Sequence, residues 1–195
     1  MKTAWIYYTK LDFAQKLRYS EIKKIHSEYG KKLLAYVLKD RGQSADLKLE
    51  RNAYGKPFLN SELSFNLSHA HQYVICAASF NDSVGVDIEQ IKERSLEPFA
   101  SKFGAGEWSA INSHSKPLTR FYQLWCIKEA VLKAYGTGFC YGYNKIEING
   151  KKVSIANEFT GYINRVLVDP AYELCLVTKN EVKVVVEQVA SLQLN

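Results

Sequence analysis

The chain has 195 residues, of which 47% are hydrophobic and 24% charged, and its formal net charge is +6. This length allows one domain, or two small packed ones, with a proper core. No apolar run approaches the roughly 18 residues of a membrane span, and Cys76, Cys126, Cys140 and Cys175 lack zinc-site spacing. We therefore expect a cytoplasmic protein with buried thiols. The positive charge indicates an anionic partner, which can be a nucleic acid, an acidic protein or a phosphorylated small molecule.

The first forty residues predict a strand followed by a helical region. The strand covers residues 3–8, and the helical pattern runs from Phe13 to Leu38 with a break near Tyr29 and Gly30. Lysines lie on the outer faces of this helix. Each of them can be an ordinary solvated side chain, but as a cluster they can also meet a phosphate.

Two strands are predicted at residues 73–80 and 84–89, separated by a short polar turn, and we expect them to form a hairpin. Alternation along the second strand places its aliphatic side chains on one face and the carboxylates of Asp87 and Glu89 on the other. In this pairing, two residues of the preceding segment lie just beyond the same end of the hairpin: Ser68 and His69.

Residues 121–138 predict a buried helix because they are apolar nearly all round, with a start near Pro117 and an end at Gly136. Three charges interrupt this apolar surface: Lys128, Glu129 and Lys133. Glu129 and Lys133 are four residues apart and can pair with each other on a solvated edge. Alternatively, a bound charged ligand compensates these charges, since burying an unpaired charge is costly.

The rest of the chain predicts irregular helices over 90–115 and mostly strands after Gly138. The expected late strands are 145–148, 153–155, 162–168, 173–178 and 182–188. The simplest partition is two mixed α and β halves, residues 1–95 and 96–195.

Asp87, Glu89 and Glu129 form a set of hard oxygen donors that suits Mg²⁺, which commonly bridges carboxylates and substrate phosphates. Lys128 and Lys133 can bind phosphate oxygens as point charges. Other functions fit parts of the pattern. A basic RNA-binding module could use the thirteen tyrosines for stacking, another Mg²⁺-dependent nucleotide hydrolase could use the same carboxylates, and a His-x-His motif at residues 69–71 could bind a metal.

Four motifs occur in order along the chain: Gly-Lys-Pro at 55–57, Phe-Asn-Leu-Ser-His at 65–69, Gly-Val-Asp-Ile-Glu at 85–89 and Trp-Cys-Ile-Lys-Glu-Ala-Val-Leu-Lys at 125–133. Together they resemble the 4′-phosphopantetheinyl transferases of the surfactin-synthetase-activating (Sfp) type. The resemblance implies an α+β fold with a pseudo-twofold arrangement of two similar α/β halves, with coenzyme A and Mg²⁺ in the cleft between them. The chain departs from the family pattern at Ala70, where relatives often carry Ser or Thr, and at Lys31, where they often carry Arg.

The resemblance also implies roles for individual residues. The metal ligands would be Asp87, Glu89 and Glu129. The residues binding coenzyme A would be Lys31, Lys56, Ser68, His69, Lys128 and Lys133, and those acting in catalysis would be Glu129, Lys133 and His69. In the reaction that the resemblance implies, a serine hydroxyl of a carrier protein attacks coenzyme A. The proton of that hydroxyl could pass to Glu129 or to a water on the metal.

The implied activity is that of a holo-[acyl-carrier-protein] synthase. It moves the phosphopantetheine arm of coenzyme A onto a serine of an acyl or peptidyl carrier protein and releases adenosine 3′,5′-bisphosphate. Carrier proteins are usually acidic, which fits the positive charge of this chain, and residues 118–122 offer a docking surface. We expect a monomer that binds neither nucleic acid nor membrane.

Overall fold

The computed structural model describes residues 1–13, 17–44, 48–137, 142–156 and 158–194. The strands in these ranges are β1 (Lys2–Lys10), β2 (Leu49–Arg51), β3 (Pro57–Leu59), β4 (Leu63–Ala70), β5 (Tyr73–Phe80), β6 (Val84–Gln90), β7 (Ile146–Asn149), β8 (Lys152–Ile155), β9 (Phe159–Val166), β10 (Tyr172–Thr178) and β11 (Val182–Gln188). The α-helices are α1 (Tyr19–Asp40), α2 (Ala105–Asn112) and α3 (Pro117–Tyr135). Short 3-10 helices cover Glu97–Lys102, Tyr143–Lys145 and Ser191–Leu194. No helix in the described ranges is long and apolar enough to span a membrane.

The strands form two main sheets, each covered by one long helix. The first sheet has the order β11-β1-β5-β4 and carries α1, and the second has the order β6-β10-β9-β8-β7 and carries α3. A separate two-stranded ribbon consists of β2 and β3. Strands β1 and β11 run parallel, whereas the other neighbours pair antiparallel. The predicted α+β class is confirmed, since each of the two main sheets is covered by one long helix.

The predicted hairpin between residues 73–80 and 84–89 is wrong. Strand β5 pairs with β1 on one side and with β4 on the other, so both of its edges are already occupied. Strand β6 instead pairs with β10, where Asp87 lies opposite Cys175. The turn between β5 and β6 is fastened to the segment after β10, since the Asp82 carboxylate accepts a hydrogen bond from the backbone N–H of Lys179 at 3.1 Å.

Each half of the chain contributes one strand to the sheet of the other half. Strand β6 precedes residue 95 but belongs to the sheet of the C-terminal strands, and β11 comes last but lies beside β1. The two halves named from the sequence, residues 1–95 and 96–195, stay a prediction. Any division there must accommodate this exchange of β6 and β11.

The predicted break of the first helix near Tyr29 and Gly30 is also wrong, since α1 continues through both residues. Gly30 is buried, and a Cβ there would lie 3.6 Å from the Leu67 side chain. A glycine in a helix costs only about 1 kcal/mol relative to alanine. Packing of the apolar face, which includes Leu33 and Val37, against the first sheet outweighs that cost.

Buried free thiols are found as predicted at Cys76, Cys126 and Cys175. The fourth cysteine, Cys140, lies outside the described residues, as does Gly138 at the end of the predicted buried helix.

Helix α3 begins at Pro117 and is followed by Gly136 in a left-handed conformation (φ 86°), as its sequence predicts. It lies directly on β6 because Gly85 has no side chain. A Cβ at Gly85 would lie 2.1 Å from the carbonyl oxygen of Ala130 and 2.2 Å from the nitrogen of Ala134. These distances are far below van der Waals contact, so only glycine allows this approach.

Replacing Gly85 with alanine should therefore destabilise the fold by about 3 kcal/mol or more, because the clash is with helix backbone that cannot rotate away. The measurement is the free energy of unfolding in a denaturant titration. Gly106→Ala is the matched control, because it lies in α2 with no atom within 4 Å of the new Cβ, and we expect it to be neutral or slightly stabilising. Equal stability of the two variants would contradict the role given to Gly85.

Candidate active site

The candidate site lies where β4 and β6, the edge strands of the two sheets, face each other. The two strands are joined by side chains instead of by a backbone ladder. The Asn66 side-chain oxygen accepts a hydrogen bond from the N–H of Val86 at 2.8 Å, and the Ser68 hydroxyl accepts one from the N–H of Ile88 at 3.3 Å. The Ser68 hydroxyl also donates to Oδ1 of Asp87 at 3.0 Å. Ser68 thus lies beside the Asp87 carboxylate of β6, close to where it was predicted. The pairing of strands differs from the prediction, because Ser68 belongs to β4, which faces β6 directly.

Lys133 reaches this point from α3. Its Nζ lies 2.6 Å from Oδ1 of Asp87 and 3.1 Å from Oγ of Ser68. Burial acts to lower the pKa of Lys133, but the carboxylates of Asp87 and Glu129 outweigh it and raise this pKa above its usual value. The lysine therefore stays charged. It pairs with Asp87 of the strand beneath its own helix, instead of with Glu129 on a solvated helix edge, and its contact with Ser68 crosses to β4.

The other two carboxylates are half-buried and are each held by an aromatic residue. The Trp125 indole N–H donates to Glu89 at 3.2 Å, and the Tyr143 hydroxyl donates to Glu129 at 2.6 Å. Burial raises the pKa of Glu89 to about 7, and the charges of Asp87 and Glu129 add to this rise. Burial, together with the charge of Asp87, also raises the pKa of Glu129. The three acidic groups therefore repel one another, and a cation between them would relieve that repulsion.

The chemistry of these donors fits the predicted Mg²⁺ ion. All three are carboxylates, and Oδ2 of Asp87 is buried without a hydrogen-bond partner in the described part of the chain. Within the same residues, no three His, Cys, Asp or Glu side chains are close enough to hold a metal by themselves. Mg²⁺ commonly uses one or two carboxylates, several waters and substrate phosphates. The donors therefore suit an ion shared with a phosphorylated ligand, and the assignment of Asp87, Glu89 and Glu129 as its ligands stays a prediction.

A groove of about 630 Å³ adjoins Ser68 and lies between α1, β4 and the β2–β3 ribbon. Its lining combines apolar side chains, including Leu34 and Leu67, with three cations and two further polar residues: Lys23, Lys31, Arg51, Glu50 and His69. This composition suits a ligand with an apolar ring and several phosphates. The structure thus brings Lys31, Ser68 and His69 to one groove. Arg51 is an addition, because the sequence analysis did not identify it as a site residue.

His26 also lines this groove, and the sequence analysis did not identify it. Its ring stacks on that of His69 with 4.3 Å between centroids and 26° between planes. The only sequence signal was its helical spacing to Gly30, Leu33 and Val37, which places it on the buried face of α1.

Lys128 lies away from the cleft, in contrast to the predicted contact with coenzyme A. Its side chain is fully buried, and its Nζ donates to Oε2 of Glu107 at 2.9 Å and to the carbonyl oxygens of Tyr143 at 2.9 Å and Ile146 at 3.3 Å. Burial lowers the pKa of Lys128, and the partner Glu107 opposes that effect. All three ammonium protons are engaged, so this lysine stabilises the packing of α3 and has none left for a phosphate.

Lys56 is directed toward backbone carbonyls instead of into the groove. Its Nζ lies 3.2 Å from the carbonyl oxygen of Val84 and 3.4 Å from that of Ala134, near the end of α3. Burial lowers the pKa of Lys56 to about 8. The lysine thus fastens the segment before β3 to the C-terminus of α3, and its contact with coenzyme A stays a prediction.

The docking surface expected at residues 118–122 stays a prediction, and within this segment only residues 118–120 are partly exposed. Phe121 and Tyr122 are 0% and 1% exposed. They pack in an aromatic cluster with Phe103 and beside Trp125, because apolar side chains at the start of α3 are buried against α2 and its preceding segment.

Lys128→Met should lower the free energy of unfolding by about 3 kcal/mol, because it leaves Glu107 and two carbonyls without their buried donor. Denaturant titration measures this change. Lys24→Met, at an exposed position of α1, is the control and should stay within about 0.5 kcal/mol of the wild type. A loss of coenzyme A binding by Lys128→Met without any loss of stability would restore the predicted ligand contact.

His26 should make a contribution that destabilises the fold as the pH drops below about 6.5. Burial lowers the pKa of this histidine in the folded protein. Below the usual histidine pKa of about 6.5, the unfolded chain binds a proton that the folded chain does not, so unfolding is favoured. In urea titrations between about pH 7 and pH 5, the stability of wild type should fall relative to that of His26→Gln as the pH drops, whereas the exposed His114→Gln should match wild type. Identical slopes for all three proteins would refute this role.

Comparison with known proteins identifies the family. The sequence profile described as the 4′-phosphopantetheinyl transferase superfamily matches residues 83–177. The chain is 35% identical to the 4′-phosphopantetheinyl transferase gsp of Aneurinibacillus migulanus over 106 residues, which cover 53% of this chain and 44% of that relative.

Two relatives from Bacillus subtilis match over more of the chain. Identity to the 4′-phosphopantetheinyl transferase Sfp of strain 168 is 30%, covering 68% of this chain and 63% of Sfp. Identity to the 4′-phosphopantetheinyl transferase ffp is also 30%, covering 75% of this chain and 70% of ffp. The chain spans about half the length of several other curated relatives that it matches. On this extent of similarity, the chain belongs to the 4′-phosphopantetheinyl transferase superfamily.

Proposed function

We propose that this protein moves the phosphopantetheine arm of coenzyme A onto a serine hydroxyl of a carrier protein and releases adenosine 3′,5′-bisphosphate. The observation that carries the proposal is the cluster of Ser68, Asp87 and Lys133 at the sheet seam, next to a basic groove. It occurs in a member of a family whose named relatives are phosphopantetheinyl transferases.

In this proposal the groove binds the nucleotide end of coenzyme A. Lys31 and His69 contact its phosphates, and Lys133 contacts the pyrophosphate. Asp87 and Ser68 hold the Lys133 ammonium in place by the contacts of 2.6 and 3.1 Å. Phosphoryl transfer depends mainly on such positioning and on neutralising charge. A bound Mg²⁺ ion, held by Asp87, Glu89 and Glu129, would supply further charge neutralisation at the pyrophosphate.

Glu129 is our candidate for the group that accepts the proton of the attacking serine. Its hydrogen bond from Tyr143 fixes one oxygen and leaves the other for the substrate. Loss of this proton activates the hydroxyl for attack on the phosphorus next to the pantetheine arm, and the adenosine bisphosphate leaves with the bridging oxygen.

The finer assignments belong to the same proposal. We propose holo-[acyl-carrier-protein] synthase activity with an acidic acyl or peptidyl carrier as acceptor, which the net charge of +6 supports through complementary attraction. A monomeric state and a cytoplasmic location stay predictions. The RNA-binding alternative loses support because Tyr7, Tyr73, Tyr122, Tyr143 and Tyr172 are buried and cannot stack on bases.

The test is the intact mass of several apo carrier proteins after incubation with the full chain, coenzyme A and Mg²⁺. We expect at least one carrier to gain the mass of one phosphopantetheine arm, and EDTA to abolish the gain. Phosphate release from coenzyme A without any modified carrier would favour the hydrolase alternative and contradict the transferase.

Glu129→Gln is the matched variant, since it keeps the shape and can still accept the Tyr143 hydrogen bond. We expect it to lower the transfer rate by about 10²-fold or more, because it removes both a proton acceptor and a metal ligand. Its thermal melting should stay at or above that of wild type, because one of three mutually repelling carboxylates is neutralised. Wild-type turnover by this variant would refute the role of Glu129.

A further inference from the structure

We infer that His26 is a positioning residue that fixes the ring of His69 in the orientation in which it contacts a phosphate of coenzyme A. This inference rests on the proposed function, in which His69 is a phosphate contact. It assigns His26 to the ligand groove, although it contacts none of the predicted metal ligands.

The position of His26 is fixed from two sides. The residue is only 5% exposed, and its Nε2 lies 2.7 Å from the backbone carbonyl oxygen of His71. Because a carbonyl oxygen can only accept, Nε2 must carry the proton. Phe13 packs near the ring, with 6.5 Å between centroids. His26 thus presents a ring of defined plane and tautomer.

His69, in contrast, is exposed on β4 and has less to restrain it. It lies between the 630 Å³ groove and a second groove of about 390 Å³, and its side chain lines both. An exposed histidine ordinarily samples several rotamers. Stacking on His26 selects one of them and so reduces the entropy lost when a phosphate binds.

The electrostatics favour the same arrangement. Burial lowers the pKa of His26. Burial also lowers the pKa of His69 to about 4, and the nearby charges of Lys133 and Lys23 add to this fall, so both rings are neutral at pH 7 and stack without repulsion. A phosphate beside His69 would favour its protonated form. The neutral face of His26 can then receive that positive charge in a cation–π contact, which a second cation at residue 26 could not do.

Two other roles for His26 make different predictions. If it is another cation for the phosphates, His26→Lys should preserve or strengthen ligand binding. If it only fills space in the core, changes at residue 26 should alter stability but not ligand affinity. A metal site with His69 and His71 is not supported, because no such group occurs in the described residues.

The experiment measures coenzyme A binding to the full chain by calorimetry, without a carrier protein. The variants are His26→Phe, which keeps an aromatic ring, His26→Gln, which keeps an amide donor for the His71 carbonyl, and His26→Lys. His114→Gln, at an exposed position outside both grooves, is the control. Each variant is first checked for folding by thermal melting.

We expect His26→Gln to weaken coenzyme A binding about two- to tenfold, the range that aromatic stacking contributes. The affinity of His26→Phe for coenzyme A should stay within about twofold of wild type, since this variant keeps an aromatic ring at residue 26. His26→Lys should bind more weakly than wild type despite its added charge. Wild-type affinity of a folded His26→Gln, or tighter binding by His26→Lys, would overturn the inference.

A double-mutant cycle distinguishes positioning from a direct contact of His26 with the ligand. In a His69→Gln background, a further His26→Gln change should have no additional effect on affinity, because the ring to be positioned is gone. Additive effects would overturn the inference. If wild-type protein binds no coenzyme A at all, the proposed function fails, which is a different outcome from normal binding that is unaffected by residue 26.

Discussion

The close approach of α3 to β6 at Gly85 is the contact on which the candidate site depends. Backbone atoms of Ala130 and Ala134 lie where a Cβ of residue 85 would be. The side chains of Glu129 and Lys133, one turn apart on the same face of α3, can therefore reach across β6. The Lys133 ammonium thereby comes within 2.6 Å of Asp87. A shift between helix and strand would lengthen this contact, because close-packed interiors transmit such shifts directly. The chemistry of the site is therefore built on a glycine that contributes no chemical group.

Negative charge exceeds positive charge inside the site. Tyr143 contacts both one of these carboxylates and the buried lysine of α3. One lysine, Lys133, faces Asp87, Glu89 and Glu129, while the buried Lys128 is neutralised separately by Glu107. Tyr143 accepts from Lys128 through its carbonyl and donates to Glu129 through its hydroxyl. The buried pair thus fixes the residue that orients a carboxylate of the site. The carboxylates of Asp87, Glu89 and Glu129 therefore still repel one another, and a bound cation would relieve this repulsion.

The sequence predicted the features that depend on local pattern, such as which face of a strand a side chain occupies. It did not predict the features that depend on which strands and helices pack together. Period-2 alternation placed Asp87 and Glu89 on one face whatever their neighbours, and Ser68 was correctly expected beside them. The pairing behind that expectation was wrong, because alternation does not say which strand occupies an edge. Helical spacing could not separate Lys133 from Lys128 either, since the difference lies in Glu107, which comes from another helix. His26 gave no signal beyond a buried position, because its role depends on a ring from another element.

The exchange of β6 and β11 between the sheets explains why the site lies at a seam. The groove residues Lys31 and His69 belong to the layer of α1 and the first sheet, whereas Glu129 and Lys133 belong to the layer of α3 and the second sheet. Across the seam itself, β4 and β6 are held by side chains such as Asn66 and Ser68, which replace a continuous backbone ladder. A phosphorylated ligand that contacts both layers adds bonds where the backbone provides none. Because such a ligand binds only the assembled layers, its binding free energy also stabilises their packing against each other.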